Sequence, residues 1–300
     1  MIDPALLWIP ATLAAAAAQT ARNATQRRLT ALIGTAGATQ VRFLYGFPFA
    51  LLLLAAIGTL SGDPIPAPNG SFLLFAAGGA LAQILATALM LAAMRERSFS
   101  VVTAVIKTEP VQVALFGLVL LGDALTPALA LAIGIATSGV VLMSVKPGGL
   151  GAGGARPVAL GVVAGACFAL AAIGFRGAIL SLGEGSALIR STTTLAWGLG
   201  LQTAMLLAWL ACFDRAALAG SFRVWRASLG AGFLGALASQ FWFIGFALTS
   251  AANVRTLALV EVLMAQAVAH RLFAQKATGR EWAGMALIVA GVVLLLATQR

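Results

Sequence analysis

Apolar residues fall in ten long runs along this chain, roughly 5–23, 34–59, 71–94, 99–121, 126–145, 157–181, 186–212, 226–249, 252–273 and 281–298. Polar and charged residues gather in the short gaps between them. A helix needs about 20 apolar residues to cross a bilayer. In lipid the backbone must pair its polar groups within the segment, which selects helices. The pattern predicts an all-α integral membrane protein of ten transmembrane helices, with no room for a sizeable soluble domain. Runs two and seven exceed the crossing length, which predicts tilt or a bend. Gly78, Gly79, Gly134, Gly139, Gly161, Gly165, Gly284 and Gly291 are expected packing positions, because small residues let helices approach closely in lipid. Pro48 and Pro110 fall inside runs and are expected to kink them by removing a backbone hydrogen bond.

One weak break interrupts this pattern, the glycine-dense stretch from Pro147 to Gly154, which has the composition of a flexible linker. It divides the chain into a first repeat at 1–147, a linker at 148–156 and a second repeat at 157–300. The halves resemble each other. An ungapped shift of 152 places Glu109 on Glu261, Leu120 on Leu272, Thr126 on Thr278, and Gly139-Val140-Val141-Leu142 on Gly291-Val292-Val293-Leu294. Gly79-Ala80-Leu81-Ala82 recurs as Gly235-Ala236-Leu237-Ala238, each followed closely by a glutamine, Gln83 or Gln240. Five helices per half is an odd number, so the second half enters the membrane from the opposite side. Two inverted five-helix repeats around a central cavity are the architecture of many secondary transporters.

Composition agrees with the membrane reading: 61% of residues are hydrophobic and 9% charged, where a soluble domain has about 25% charged. The net charge of +10 would suggest nucleic acid in a soluble protein. Here the cations sit mainly in the gaps, where positive-inside anchoring accounts for them, and no nucleic-acid partner is expected. The gaps after runs one, three, five, seven and nine hold Arg22, Arg27, Arg28, Arg95, Arg97, Lys146, Arg156, Arg215, Arg223, Arg226, Arg271, Lys276 and Arg280. The other face holds Arg300, with Arg176 and Arg190 at membrane edges. That bias puts the odd-numbered loops in the cytoplasm and both termini outside. The start lacks a basic region, so no cleavable signal peptide is expected. Cys167 and Cys212 lack metal or redox spacing and are read as small core residues. His270 is the only histidine, which excludes a histidine metal site, and no cofactor is expected.

Four charged residues lie deep inside runs four and nine: Lys107, Glu109, Arg255 and Glu261. Each costs about 3 kcal/mol at membrane depth and persists by facing a cavity or finding a partner. Lys107 and Glu109 point about 200° apart on a helix, and Arg255 and Glu261 about 240° apart. Pairing between helices is therefore the economical arrangement, Lys107 with Glu261 or Arg255 with Glu109. In a cavity the cations would hold a substrate carboxylate and the glutamates an amine or a proton; the alternative is a static charge network. Gln83, Gln240, Asn253 and Trp242 are further candidates for substrate contact. For the glutamines the alternative is tying helices together, and for Trp242, within Phe241-Trp242-Phe243, it is packing. Trp8, Trp225 and Trp282 are expected at the interfaces.

The order of motifs resembles the drug/metabolite transporter superfamily, EamA type. Its repeats carry a proline-containing helix, a short "LLG-acid-x-L" turn and a last helix with "G-V-x-L". Here they read Glu109-Pro110, Leu120-Leu121-Gly122-Asp123-Ala124-Leu125 and Gly139-Val140-Val141-Leu142, with Gly291-Val292-Val293-Leu294 in the second half. Arg42 and Arg190 match the family's arginine early in the second helix of each repeat. Gln275 stands where the family has an acid, and Val262 where it has the proline matching Pro110. The loop charges also oppose the termini-inside orientation of ten-helix members. The aromatic amino acid exporter branch is one candidate subgroup, though no motif singles it out.

The expected function is a secondary transporter moving small metabolites, amino acids or related solutes, outward across the cell inner membrane by alternating access. Its partners would be a small-molecule substrate, membrane lipid and coupling protons, and the chain would act as a monomer or homodimer. No phosphate-binding Gly-x-x-x-x-Gly-Lys-Ser/Thr loop is present in the sequence, so ATP hydrolysis is not expected. A channel or non-transporting scaffold is the main alternative. A membrane-embedded enzyme is the weaker one, since such sites need clustered His, Asp or Glu.

Overall fold

The computed structural model describes residues 6–96, 102, 105–144, 155–264 and 278–298. The glycine-rich stretch 147–154, His270, Leu272, Gln275, Arg97, Lys146, Arg271, Lys276 and Arg300 lie outside the described residues. The described helices are α1 (Trp8–Leu44), α2 (Phe47–Ser61), α3 (Gly70–Glu96), α4 (Glu109–Leu121), α5 (Pro127–Ser144), α6 (Ala155–Ser181), α7 (Ala187–Phe213), α8 (Arg215–Arg223), α9 (Trp225–Leu248), α10 (Ala251–Leu257) and α11 (Gly279–Ala297). No strand occurs among the described residues.

Six of these segments are long and apolar enough to cross a membrane: Leu29–Ser61, Gly70–Met94, Val158–Ser181, Ala187–Phe213, Trp225–Leu248 and Gly279–Ala297. Glu109–Leu121 and Pro127–Met143 are apolar but shorter. Two departures from the ten runs explain most of the difference among the described residues. Runs four and nine are interrupted, and the gap between runs one and two does not exist. The chain is helical from Trp8 to Leu44, through Arg22, Arg27 and Arg28. Hydropathy drops there because the residues are polar, but Arg and Gln are good helix formers. Arg22 is therefore no loop cation; it is 4% exposed.

The reversal comes later, at Gly34, with φ +70° and ψ −179°, backbone space that is essentially restricted to glycine. The Gln26 side chain donates to Ala38 O at 3.0 Å. In a straight helix those residues would be about 18 Å apart, so the two arms of α1 form a hairpin. Run two breaks again at Tyr45-Gly46. Pro48 follows within the first two positions of α2, and Pro110 within the first two of α4. Neither kinks a helix interior, because the first turn needs no N–H partner.

The chain divides into two compact units, each drawing on both halves of the sequence. The first comprises 1–84 and 174–249. Here α1 packs along α9, with Leu29, Ala38, Val41 and Ala231 in one buried cluster. A Cβ on Gly174 would lie 2.7 Å from Gly79 Cα, so α3 and α6 meet backbone to backbone. Phe72, Ala76, Ala178 and Leu182 fill the space beside them. Trp8 is 1% exposed and belongs to the core, not the interface, whereas Trp225 and Trp282 are exposed. The short helix α8, flanked by Asp214 as its N-cap, fell in a presumed loop.

The second unit comprises 85–173 and 250–300. Its α5 and α11 close on each other through glycine. A Cβ on Gly139 would lie 2.6 Å from Gly284 O, and one on Gly291 would lie 2.7 Å from Ala132 O. Gly161 and Gly165 also face close neighbours, while Gly78 and Gly134 face open space and are not packing positions. The paired threonines of the repeat have a shared job. Thr126 Oγ1 accepts from Leu129 N and Thr278 Oγ1 from Glu281 N, so each caps the last described helix of its half. Gly122, with φ +69°, ends α4 and explains the glycine of the "LLG-acid" turn. Cys167 is half-buried, but Cys212, in the first unit, is exposed and is not a core residue.

Candidate functional site

Run four does not make one helix. Residues 105–106 are helical, Lys107-Thr108 form a turn, and α4 begins at Glu109. Pro110 has no N–H to continue the ladder, and both Thr108 N and Thr108 Oγ1 bond to Val105 O, at 3.2 and 2.7 Å. Run nine is interrupted in the same way. Helix α10 ends at Leu257, Ala258-Leu259 form a turn, and 260–264 are helical again. No proline does this: Val262 occupies the place of Pro110. The turn is made instead by tight bonds three residues apart, Leu259 N to Thr256 O at 3.1 Å and Glu261 N to Ala258 O at 3.0 Å. Under the 152-residue shift the two turns fall within one residue of each other.

All four deep charges flank these breaks, and all lie in the second unit. Lys107 Nζ donates to Glu261 Oε2 at 2.7 Å. Arg255 Nε lies 3.2 Å from Glu109 Oε1. Both of the cross-helix pairs allowed by helix geometry thus form together. Their side chains are 15% and 13% exposed in the first pair and 12% and 9% in the second. Two cations and two anions leave the quartet neutral. Coulomb attraction at these distances is strong in a low-dielectric surround, so each charge is held where it would otherwise cost several kcal/mol. The arrangement can exchange one internal partner for a ligand of matching charge. Asn253, also in this unit, is buried, and its backbone N–H bonds to Ser250 Oγ at the start of α10.

The other sequence candidates lie in the first unit. Gln83 accepts from Gln202 Nε2 on α7. Gln240 Nε2 donates to Thr192 Oγ1 at 3.0 Å and Ser191 Oγ at 3.3 Å. Trp242 Nε1 donates to Gln19 Oε1 at 3.2 Å. Each contact ties two helices together, as the second reading of the glutamines expected. Sequence reasoning passed over Arg176, whose Nη1 donates to Phe246 O and Thr249 O at 2.6 and 2.5 Å and so caps the C-terminal end of α9. Arg190 donates to Leu182 O at 3.3 Å. Among the described residues no cluster of three or more His, Cys, Asp or Glu could hold a metal ion.

The sequence profile of the EamA-like transporter family matches residues 6–145 and again 156–297. The chain belongs to the EamA-like transporter family. The two matched segments are the two repeats that the 152-residue shift brings out. This EamA-like transporter also has the fold of a solved crystal structure, with a TM-score of 0.70 at 15% identity over 98% of each chain. No curated protein sequence matches it.

Proposed function

We propose that this EamA-like transporter is a secondary carrier of small metabolites, amino acids or related solutes, working by alternating access at the charge quartet. The observation that carries the reading is the pair of helix breaks at corresponding places in the two repeats, each flanked by deep charges. Discontinuous helices in matching positions are where carriers of inverted-repeat design bind substrate and coupling ions. Lys107 or Arg255 takes a substrate carboxylate, and Glu261 or Glu109 takes an ammonium or a proton. A solute bearing both charges replaces one internal ion pair without stranding a buried charge, whereas a singly charged one leaves a charge unmatched. Asn253 on α10 adds a neutral contact. Gln83, Gln240 and Trp242 hold helices of the first unit together and serve substrate contact only secondarily. Flux runs outward across the inner membrane, driven by protons or the solute gradient, and the cation-rich loops lie in the cytoplasm.

The test is saturable counterflow of labelled amino acids in proteoliposomes. Glu109→Gln and Glu261→Gln should each cut flux at least tenfold while leaving membrane insertion intact. Wild-type flux in both variants rules the quartet out as the site. Flux that never saturates points instead to a channel.

A further inference from the structure

A groove on the first unit takes no part in the transport proposal. It runs between α2 and α9, and its volume is about 250 Å³. Both helices belong to segments long and apolar enough to cross a membrane. On α2 the lining residues include Phe49, Leu52 and Ala56, spaced three and four apart on one helix face; on α9 they are Phe233, Ala236 and Leu237. Every side chain that lines it is apolar. Phe49 and Phe233 meet edge to face, their ring centroids 5.3 Å apart. Ala56 and Ala236 stop at Cβ and give the groove its depth. Leu52 is 65% and Phe233 45% exposed, so the groove opens on the protein surface.

The same face of α9 carries a charge toward the helix start. Arg226 lies seven residues before Phe233 and eleven before Leu237, within about 20° of both around the axis and about 10 Å from Phe233 along it. Gly230 falls between them on this stripe. A Cβ there would meet nothing within 4 Å, so no described residue closes the path from the groove to Arg226. Arg226 is exposed, its Cζ 5.3 Å from the centre of the Trp225 ring. Tryptophan and arginine together at a helix start mark the bilayer interface, where lipid phosphates lie. Arg223, at the end of α8, is a second exposed cation three residues earlier. A guanidinium presents a fork of N–H donors that matches a phosphate. An apolar channel ending at a cation has the layout of one molecule, a phospholipid with a negative headgroup.

We propose that this groove holds one acyl chain of an anionic phospholipid whose phosphate sits on Arg226. The whole chain in neutral detergent is titrated with phosphatidylglycerol and, in parallel, with phosphatidylcholine of the same acyl chains. Its thermal midpoint is followed, since binding to the folded state raises the midpoint with concentration. The expected result is a saturable rise that needs roughly fivefold less phosphatidylglycerol than phosphatidylcholine, the factor one cation contributes toward an anionic lipid. R226Q should erase that preference while the response to phosphatidylcholine stays. R156Q, which removes a cation 80% exposed at the start of α6 in the second unit, should leave the preference intact. A56F fills the groove and should weaken both lipids roughly tenfold, the loss of about two buried methylene groups. Equal response to the two lipids in the wild type overturns the site. So does a preference unchanged in R226Q, or one lost equally in R156Q. Unchanged lipid affinity in A56F removes the acyl chain from the groove, and an oligomer that A56F dissociates marks the groove as a contact between copies instead. Should A56F fail to fold, A56L fills less of the groove and is read by the same outcomes.

Discussion

The two compact units differ in the side-chain pairs that hold polar groups in a lipid-facing protein. In the second, the decisive contacts are ionic, Lys107 with Glu261 and Arg255 with Glu109. In the first, arginine bonds to backbone carbonyls, Arg176 to Phe246 O and Thr249 O, and several ties between helices are neutral: Gln83 with Gln202, Gln240 with Ser191 and Thr192, Trp242 with Gln19, and Tyr45 with Ser221 O. The difference matters for energetics. A neutral hydrogen bond between membrane helices averages about 0.6 kcal/mol, so losing one is tolerable. A buried ion pair behaves differently: losing one partner strands the other at about 3–5 kcal/mol, while losing both can be nearly neutral. The neutral pairs of the first unit tolerate piecemeal change, and the ion pairs of the second change in matched pairs.

The largest effect should therefore come from Lys107→Met, a loss of about 3–5 kcal/mol in stability, most of it restored in Lys107→Met with Glu261→Met. A double-mutant cycle on denaturant unfolding in detergent measures the coupling; additive losses would break the contrast between the units. Next comes Gly34→Val in the first unit, where a β-branched residue at φ +70° should cost about 1–3 kcal/mol, read as faster proteolysis of the α1 hairpin. Gln202→Leu should cost about 0.5–1.5 kcal/mol by the same unfolding assay, well below Lys107→Met. The smallest effect is expected for Pro110→Ala, under about 1 kcal/mol, since Thr108 already makes the turn and run nine turns without a proline.

Much of this organisation was legible in the residues. Deep charges stand out against an apolar background, and angular spacing alone excluded pairing within a helix. The repeat shift aligned Thr126 with Thr278 and Glu109 with Glu261, but that the threonines cap helices came only from their hydrogen bonds. The helix breaks were harder to see: a proline marks the first, while the second rests on backbone bonds that Val262 does not announce. Arg22 was misplaced for a related reason. Hydropathy reads polarity as a loop, and a buried arginine on a helix looks the same as an exposed one until its neighbours across α9 are known. Trp8 misled similarly, since a tryptophan near a helix end serves an interface or a core equally well.

The most direct test of the quartet as a transport site is a charge swap, Lys107→Glu with Glu261→Lys, with thermal midpoint and amino acid counterflow measured on the same preparation. The swap keeps an ion pair and net neutrality, so the midpoint should stay near wild type. Saturable flux should fall at least tenfold, because carboxylate and ammonium would meet the wrong charges. Wild-type flux in the swapped protein would contradict the account and leave the quartet a purely structural lock.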